Sequence, residues 1–160
     1  RKAAGSARKA GRMKALLIGY GNPGRGDDGL GPAFAERIES LALPNLEVDI
    51  DYQLTVEHAL AICEVDLVIF VDAEMGSGER CHLRRVSPTG TPDISSHELS
   101  PQSVLALCST LYGKAPESFI LGIAGSVFGD VREGLSQTAK QNLEIAIDYF
   151  VKWYPAQAGN

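Results

Sequence analysis

Apolar residues are grouped along this chain in short stretches that are separated by longer amphipathic segments. Residues 14–19, 66–71 and 119–124 each contain a run of consecutive apolar residues, which is typical of strands buried on both faces. Residues 46–52 alternate between apolar and polar, which predicts an edge or half-exposed strand. A weaker pattern at 81–86 predicts a fifth strand. The stretch at 66–71 is the strongest, so we expect it at the centre of the sheet.

Four amphipathic segments predict helices, at about 28–43, 56–63, 101–112 and 137–154. Thr55, Ser100 and Ser136 stand directly before three of them, where a side-chain oxygen can cap a helix. Gly113 follows the third helix, at the position where glycine commonly ends one. Residues 87–100 are rich in Ser, Thr and Pro and predict a long loop.

The predicted order of elements is β-α-β-α-β-β-α-β-α. This order favours an α/β fold with three layers, α/β/α, around a mostly parallel twisted sheet of about five strands. Right-handed crossovers place the loops that follow the parallel strands at one edge, where such sheets hold their functional sites. We expect a single domain over residues 13–160. Residues 1–12 carry five basic and no acidic residues, and we interpret them as a tag or scar, with a transit peptide as the less favoured alternative.

Charge and cysteine content exclude several classes of protein. The formal net charge is −5, and it becomes −10 without residues 1–12. An acidic body repels phosphate backbones, so we expect no nucleic-acid partner. Cys63, Cys81 and Cys108 are far apart in sequence, which favours a reducing compartment, and no apolar stretch approaches the roughly 20 residues of a membrane span. We therefore expect a cytoplasmic protein without a membrane partner, and a monomer because no long exposed apolar stripe stands out.

The loop after the first strand matches G-x-G-x-x-G at Gly19, Gly21 and Gly24, the pattern of dinucleotide-binding proteins. Three features oppose that interpretation. Pro23 lacks an N–H group that could bind a pyrophosphate, the helix begins several residues late, and the adjacent Asp27 and Asp28 place negative charge where phosphates would lie. A nucleotide-binding oxidoreductase module that uses the 19–24 loop remains an alternative.

Three other polar residues are predicted to meet at the same edge of the sheet. Asp28 lies at the end of the glycine loop, Asp72 follows the central strand, and His97 precedes the third helix. Two carboxylates and an imidazole form a ligand set suited to nickel or zinc. The plainer alternatives are a helix cap for one aspartate of the 27–28 pair, a turn bond for Asp72 and a solvated His97. The sequence lacks H-E-x-x-H and G-x-S-x-G, so a zinc protease or a serine hydrolase is unsupported.

The same residues resemble a known family, the hydrogenase maturation endopeptidases. Its N-terminal signature is similar to GYGNPGRGDDGLG at 19–31, and its second and third motifs are similar to V-D-A at 71–73 and S-H-E-L at 96–99. The resemblance extends over about 13–154. Residues 51–55, D-Y-Q-L-T, replace the D-G-G-T-like turn of many members, and this sequence is similar to the branch that serves cytosolic hydrogenases, as is L-Y-G-x-A-P beginning at Leu111.

The resemblance implies an endopeptidase, an aspartyl-type hydrolase, that removes the C-terminal extension of a nickel–iron hydrogenase large-subunit precursor after nickel insertion. It implies that Asp28, Asp72 and His97 are the catalytic and metal-binding residues, and that they complete the coordination of nickel supplied by the precursor, with no organic cofactor. Water would be activated by an aspartate or by the metal. Glu74 and Asp27 are expected to lie near these three residues, and neither is assigned a role. A non-catalytic metal-binding accessory protein with the same ligands is a further alternative.

Overall fold

A computed structural model describes residues 12–76, 78–89, 98–129 and 131–157. The strands are β1 (Ala15–Tyr20), β2 (Leu46–Asp51), β3 (Leu67–Met75), β4 (Cys81–Arg85) and β5 (Glu117–Gly125). The helices are α1 (Leu30–Leu41), α2 (Val56–Ile62), α3 (Pro101–Tyr112) and α4 (Gln137–Gln157). A short 3₁₀ turn at Gly26–Gly29 directly precedes α1. Every predicted strand and helix is present.

The five strands form one sheet in the order β2-β1-β3-β5-β4. Strands β2, β1, β3 and β5 run parallel, and β4 lies antiparallel along the outer side of β5. The predicted fold is therefore confirmed, with the most apolar strand at the centre and the alternating strand at an edge. The parallel strands end together at one edge, which we call the carboxyl edge.

Helices cover both faces of the sheet because side chains alternate between the faces along each strand. On one face, Leu17, Ile69 and Leu121 pack in a core that includes Phe34 of α1 and Phe150 of α4. The opposite face has its own core, which contains apolar side chains of β1, β3 and β5 and of the helices α2 and α3: Ile18, Phe70, Ile120, Ile62 and Val104. The two cores give the three layers that the alternation predicted.

Two boundaries differ from the prediction near the carboxyl edge. Strand β3 continues to Met75 rather than ending at 71, because β5 pairs with it over nine residues. Asp72 therefore lies inside the strand and not after it. Helix α1 begins at Leu30, and the 3₁₀ turn holds Asp27 and Asp28 before the first helical residue.

The close approach of α1 to the sheet depends on two glycines. A Cβ atom on Gly31 of α1 would lie 2.7 Å from the carbonyl oxygen of Val71, and one on Gly19 of β1 would overlap Ala35. No side chain larger than hydrogen fits at either point. The beginning of α1, and with it the 3₁₀ turn, is thereby held against the carboxyl ends of β1 and β3.

Other predictions concern the N-terminal residues, membrane-spanning helices and the three cysteines. Residues 1–11 lie outside the described residues, so the interpretation of 1–12 stays a prediction. Within the described residues, no helix has the length and apolar content to cross a membrane. Cys63, Cys81 and Cys108 are free thiols in the structure, and Cys108 is buried.

Candidate functional site

The glycine loop between β1 and α1 turns its backbone N–H groups toward its own chain. Gly21 donates to Asp51 O, Arg25 to Asn22 O, Gly26 to Arg132 O and Asp27 to Val127 O, and Asn22 and Gly24 donate to side-chain oxygens. Pro23 has no N–H to offer. A phosphate cradle needs several free N–H groups that point at one spot. The loop offers none of these to a pyrophosphate, and the nucleotide-binding alternative loses its physical basis.

Asp28 is held by the loop that precedes it. Its Oδ2 atom accepts a hydrogen bond of 2.7 Å from the N–H of Asn22, whose own Oδ1 accepts one of 2.9 Å from Gly24. Gly21 has a φ of 143°, and the backbone oxygen of Asp28 occupies the space that a Cβ at Gly21 would need. The glycine loop thus allows the chain to fold back, so that Asp28 lies across the loop at the carboxyl edge. Asp28 is half-buried there.

Asp27 points the other way and is fully buried. Its carboxylate accepts four hydrogen bonds of 2.7–3.0 Å, from the N–H groups of Ser126, Val127 and Ser136 and from the Ser136 hydroxyl. Burial by itself raises the pKa of Asp27, but these hydrogen bonds outweigh it and hold the pKa below its ordinary value of 3.8. Asp27 ties the glycine loop to the loop after β5 and to the beginning of α4.

The capping explanation for the aspartate pair is therefore wrong for α1. The residue at its N-cap is Gly29, and no side chain there bonds to the helix. The two aspartates have different roles. Asp27 joins three segments of the chain, whereas Asp28 lies on the solvent side of the loop. The sequence indicated that the pair is unusual, but it did not predict that the two residues have different roles.

Asp72 lies on β3, and Tyr20 lies at the end of the neighbouring parallel strand β1. Burial raises the pKa of Asp72 from 3.8 to about 6. The nearby Tyr20 hydroxyl lowers that pKa, whereas the negative charges of Asp28 and Glu74 raise it. The carboxylate is therefore in a place that disfavours its charge when no cation is near.

A cleft of about 190 Å³ brings Asp28 and Asp72 together at the carboxyl edge. Its lining consists of Tyr20, Gly21, Asp28, Tyr52, Gln53, Leu54, Asp72, Glu98 and Leu99. Three of these residues are acidic, and none of the described lining residues is basic. The cleft therefore has a negative potential that favours a cation.

His97, the third predicted ligand, lies outside the described residues. Its neighbour in sequence, Glu98, lines the cleft. In the described part of the chain, no three His, Cys, Asp or Glu side chains are grouped so that they could hold a metal ion. The ligand roles of Asp28, Asp72 and His97 stay predictions.

The other two histidines have structural partners, as their predicted positions on a helix and in a strand suggest. His58 is buried on α2, where its Nδ1 accepts the N–H of Thr55 at 2.9 Å in a capping box. His82 of β4 bonds through Nε2 to Glu74 of β3. The Glu74 carboxylate reaches His82 across Gly122 of β5, in the space that a Cβ on Gly122 would fill.

Sequence reasoning missed two residues of the cleft. Tyr20 stands in the variable position of G-Y-G, where only its place at the end of an apolar strand hinted at a role. Glu98 follows His97 directly and was passed over as part of its context. Tyr20 could have been found by asking which side chains end the parallel strands on the face that carries Asp72.

The chain is similar in sequence and in fold to several hydrogenase maturation proteases. A protein of Methanocaldococcus jannaschii that is provisionally classified as a hydrogenase maturation protease is 26% identical over 140 residues, which cover 83% of this chain and 91% of that protein. The crystal structure of the nickel–iron hydrogenase maturation protease HycI of Thermococcus kodakarensis is 25% identical, with a TM-score of 0.67 over 89% of this chain and 93% of that one.

The hydrogenase maturating endopeptidase HybD of Escherichia coli has the same fold at 18% identity, with a TM-score of 0.69 over 91% of this chain and 94% of that one. No family model matches the chain. The resemblance that the three motifs predicted is confirmed by these similarities in sequence and fold.

Replacing Asp27 with Asn should destabilise the fold by at least about 2 kcal/mol at pH 7, because a charged acceptor of four hydrogen bonds is lost. The pKa of Asp27 is lowered, so its contribution is present above pH 3.8 and is lost as the pH falls through the lowered value. Urea unfolding at pH 7 and at pH 3 checks this, with a smaller difference expected at pH 3. Asp148→Asn, at an exposed site on α4, is the matched control. Equal stability of the two variants at pH 7 would contradict the role of Asp27.

Replacing Asp72 with Asn should have the opposite effect in metal-free protein. Because the pKa of Asp72 is raised to about 6, its charge destabilises the folded state above that pH, and the effect disappears as the pH falls toward 4. Asp72→Asn should therefore be more stable than the parent chain by on the order of 2 kcal/mol at pH 8, and nearly equal to it at pH 4. Urea unfolding in the presence of a chelator measures this difference. A variant that is less stable than the parent at pH 8 would show that the carboxylate stabilises the fold.

Proposed function

We propose that this chain, which resembles the hydrogenase maturation endopeptidases in its motifs, sequence and fold, is an endopeptidase that trims a hydrogenase. Its substrate is the large-subunit precursor of a nickel–iron hydrogenase after nickel insertion, from which it removes the C-terminal extension. The observation that carries the proposal is the acidic cleft in which Asp28 and Asp72, from two separate segments, lie together.

The electrostatics of the cleft support a cationic partner. A half-buried carboxylate is costly unless a positive charge or a hydrogen-bond donor compensates it. Asp72 is largely buried and has two negative neighbours, Asp28 and Glu74, and its pKa is raised accordingly. A divalent ion that binds between the two aspartates removes this cost, so the cleft is better suited to a metal-loaded precursor than to a metal-free one.

We assign the third ligand to His97, which adds an imidazole to two carboxylates. That set favours a borderline ion such as nickel over a hard ion such as magnesium. The position of Glu98 in the lining of the cleft supports this assignment, because the two residues are adjacent in sequence. In the proposal the nickel belongs to the precursor, and the three side chains test whether it has been inserted.

The same contact positions the peptide bond for hydrolysis. A nickel ion that is shared between precursor and cleft polarises the scissile carbonyl as a Lewis acid. The N–H of Asn22 holds the carboxylate of Asp28, and the pairing of β3 with β5 holds the backbone of Asp72, so both residues are positioned before the precursor binds. Water adds to the carbonyl carbon, the C–N bond breaks, and the proton of the water goes to the leaving amine through a cleft carboxylate or the metal-bound solvent.

The proposal also includes the setting of the reaction. We place it in the cytoplasm, with a monomeric enzyme, no organic cofactor and no nucleic-acid partner. The turn after β2, with Tyr52 in place of the glycine of many members, lines the cleft and is our basis for proposing a cytosolic hydrogenase as the source of the precursor. A non-catalytic accessory protein that uses the same ligands is the alternative that the first experiment below decides.

Incubating the chain with precursor should shorten the precursor at its C-terminus only when nickel has been inserted. The physical reason is that the cleft binds tightly only to a peptide that brings a cation. Intact-mass spectrometry of nickel-loaded and nickel-free precursor measures the loss. An intact precursor in both reactions would reject the peptidase and favour the accessory protein, and equal cleavage in both would reject the role of nickel.

Replacing His97 with Ala should abolish processing, because it removes one of three proposed ligands. The neighbouring Ser96→Ala keeps the imidazole and should process the precursor at nearly the parent rate. Far-UV circular dichroism should be unchanged in both variants. Full activity of His97→Ala, or its unfolding, would contradict the proposed ligand role.

A further inference from the structure

A second cavity adjoins the acidic cleft at the carboxyl edge. It has a volume of about 290 Å³ and shares Gly21 and Tyr52 with the cleft. A third cavity, of about 190 Å³, adjoins the second and shares Pro23, Pro32 and Glu36 with it. The three cavities therefore form one continuous depression that runs from the cleft over the glycine loop and along the first turns of α1. We call the two cavities beyond the cleft the side groove.

The walls of the side groove are mostly apolar. Their apolar side chains come from the glycine loop, α1, β2 and the loop before α4: Pro23, Pro32, Ala33, Ile50 and Leu135. Such walls favour a ligand that brings apolar groups of its own. The side groove is therefore suited to an extended polypeptide segment with apolar side chains, which can place successive residues in the two cavities.

The side groove also has a negative charge. Glu36 and Asp51 contribute to its lining, and none of the described lining residues is basic. Asp51 is engaged within the protein, because its Oδ1 accepts the N–H of Tyr52 at 2.8 Å and its Oδ2 lies 3.5 Å from Nε2 of His58. Glu36 is exposed on α1, where the two cavities meet. An acidic side chain in the bound segment would be repelled there.

We infer that the side groove binds the C-terminal extension of the precursor, the segment that the enzyme cuts off. The inference rests on the proposed function, which places the scissile bond in the cleft. A polypeptide that is cut there has to leave the cleft on both sides of the bond. The part before the bond is tied to the nickel and to the folded precursor, whereas the extension ends freely and can follow the side groove.

The side groove is held in shape by bonds within the protein. Ser136, which follows Leu135, donates to the buried carboxylate of Asp27 through its N–H and its hydroxyl. Nearby, the N–H of Gly26 donates to the carbonyl oxygen of Arg132 at 2.7 Å. These bonds fix the loop before α4 against the glycine loop, so the two walls cannot move apart. A preformed groove loses less conformational freedom when a peptide binds.

A second copy of this chain is a less suitable occupant than the extension. In a two-fold dimer, the same surface of both copies takes part in the interface. The acidic cleft that adjoins the side groove would then lie close to its own copy, and the like charges would repel. A nickel-loaded precursor brings a cation to the cleft, so its extension enters the side groove without that repulsion.

Replacing Glu36 with Trp places a large ring where the two cavities meet. The precursor concentration at the half-maximal rate of nickel-dependent processing should rise about tenfold, which corresponds to the loss of one good contact. The rate at saturating precursor should stay within about twofold of the parent, because the side groove contributes to binding and not to the chemical step.

Glu39→Trp is the matched control. Glu39 is also exposed on α1, one turn beyond Glu36, and it lines neither the cleft nor the side groove. Both kinetic values should equal those of the parent in this variant. Thermal unfolding of the two variants shows whether the ring itself disturbs the fold, and if it does, the binding measurement on the parent chain decides.

Nuclear magnetic resonance of the parent chain gives that measurement, which does not depend on activity. A synthetic peptide of the precursor's C-terminal residues, added without nickel, should shift the amide signals of Ala33, Glu36 and Leu135 in a saturable way. The signal of Leu111, which is exposed near the end of α3, should not change.

Unchanged signals of Ala33, Glu36 and Leu135 would overturn the inference, as would a folded Glu36→Trp variant with the half-maximal concentration of the parent. Shifts of the same signals on concentrating the chain alone would identify a second copy as the occupant and would also overturn it. If the parent chain leaves the precursor intact while the peptide shifts these signals, the proposed function fails and the binding of the extension is supported.

Discussion

The buried carboxylate of Asp27 is the interaction on which the carboxyl edge depends. Four hydrogen bonds from Ser126, Val127 and Ser136 converge on it from segments about a hundred residues further along the chain. They join the glycine loop, the loop after β5 and the beginning of α4 into one unit. Since Asp27 is anchored, its neighbour Asp28 has a fixed backbone from which to turn back over Gly21. Of these two adjacent aspartates, Asp27 holds the loop in place and Asp28 lines the cleft.

The like charges in the cleft lower the stability of the fold when no cation is bound. Asp28 and Asp72 are close enough to raise the pKa of Asp72, and Glu98 adds a third acid to the lining. A fold that was selected for stability alone would place a basic or apolar side chain there. Instead the donor to Asp28 is the uncharged N–H of Asn22, and none of the described lining residues is basic. In the proposed function, the free energy that this arrangement costs in the empty state is recovered when the metal-loaded precursor binds.

Much of the fold follows from local patterns in the sequence. Helix α3 is bounded by Ser100 and Gly113 as expected, because capping bonds are formed by residues within one turn. The central place of β3 followed from its apolar character on both faces. The end of β3 could not be predicted, since Asp72 and Glu74 are polar, Met75 is exposed, and the segment is held as a strand by pairing with β5. The role of Asp27 was hidden for the same reason, because all its partners come from segments that are distant in sequence. Tyr20 was missed because its closeness to Asp72 comes from the pairing of β1 with β3, which leaves no mark on either strand alone.

Gly122 shows how an absent side chain can set the chemistry of a neighbouring group. A Cβ at this position would collide with the carboxylate of Glu74, and Glu74 would have to leave His82. The displaced acid would remain on the same side of the sheet as Asp72, two residues away on β3. A site with that additional oxygen donor would resemble those that prefer calcium or magnesium rather than a nitrogen-binding transition metal. In the proposed site, Gly122 therefore keeps a further carboxylate away from Asp28 and Asp72.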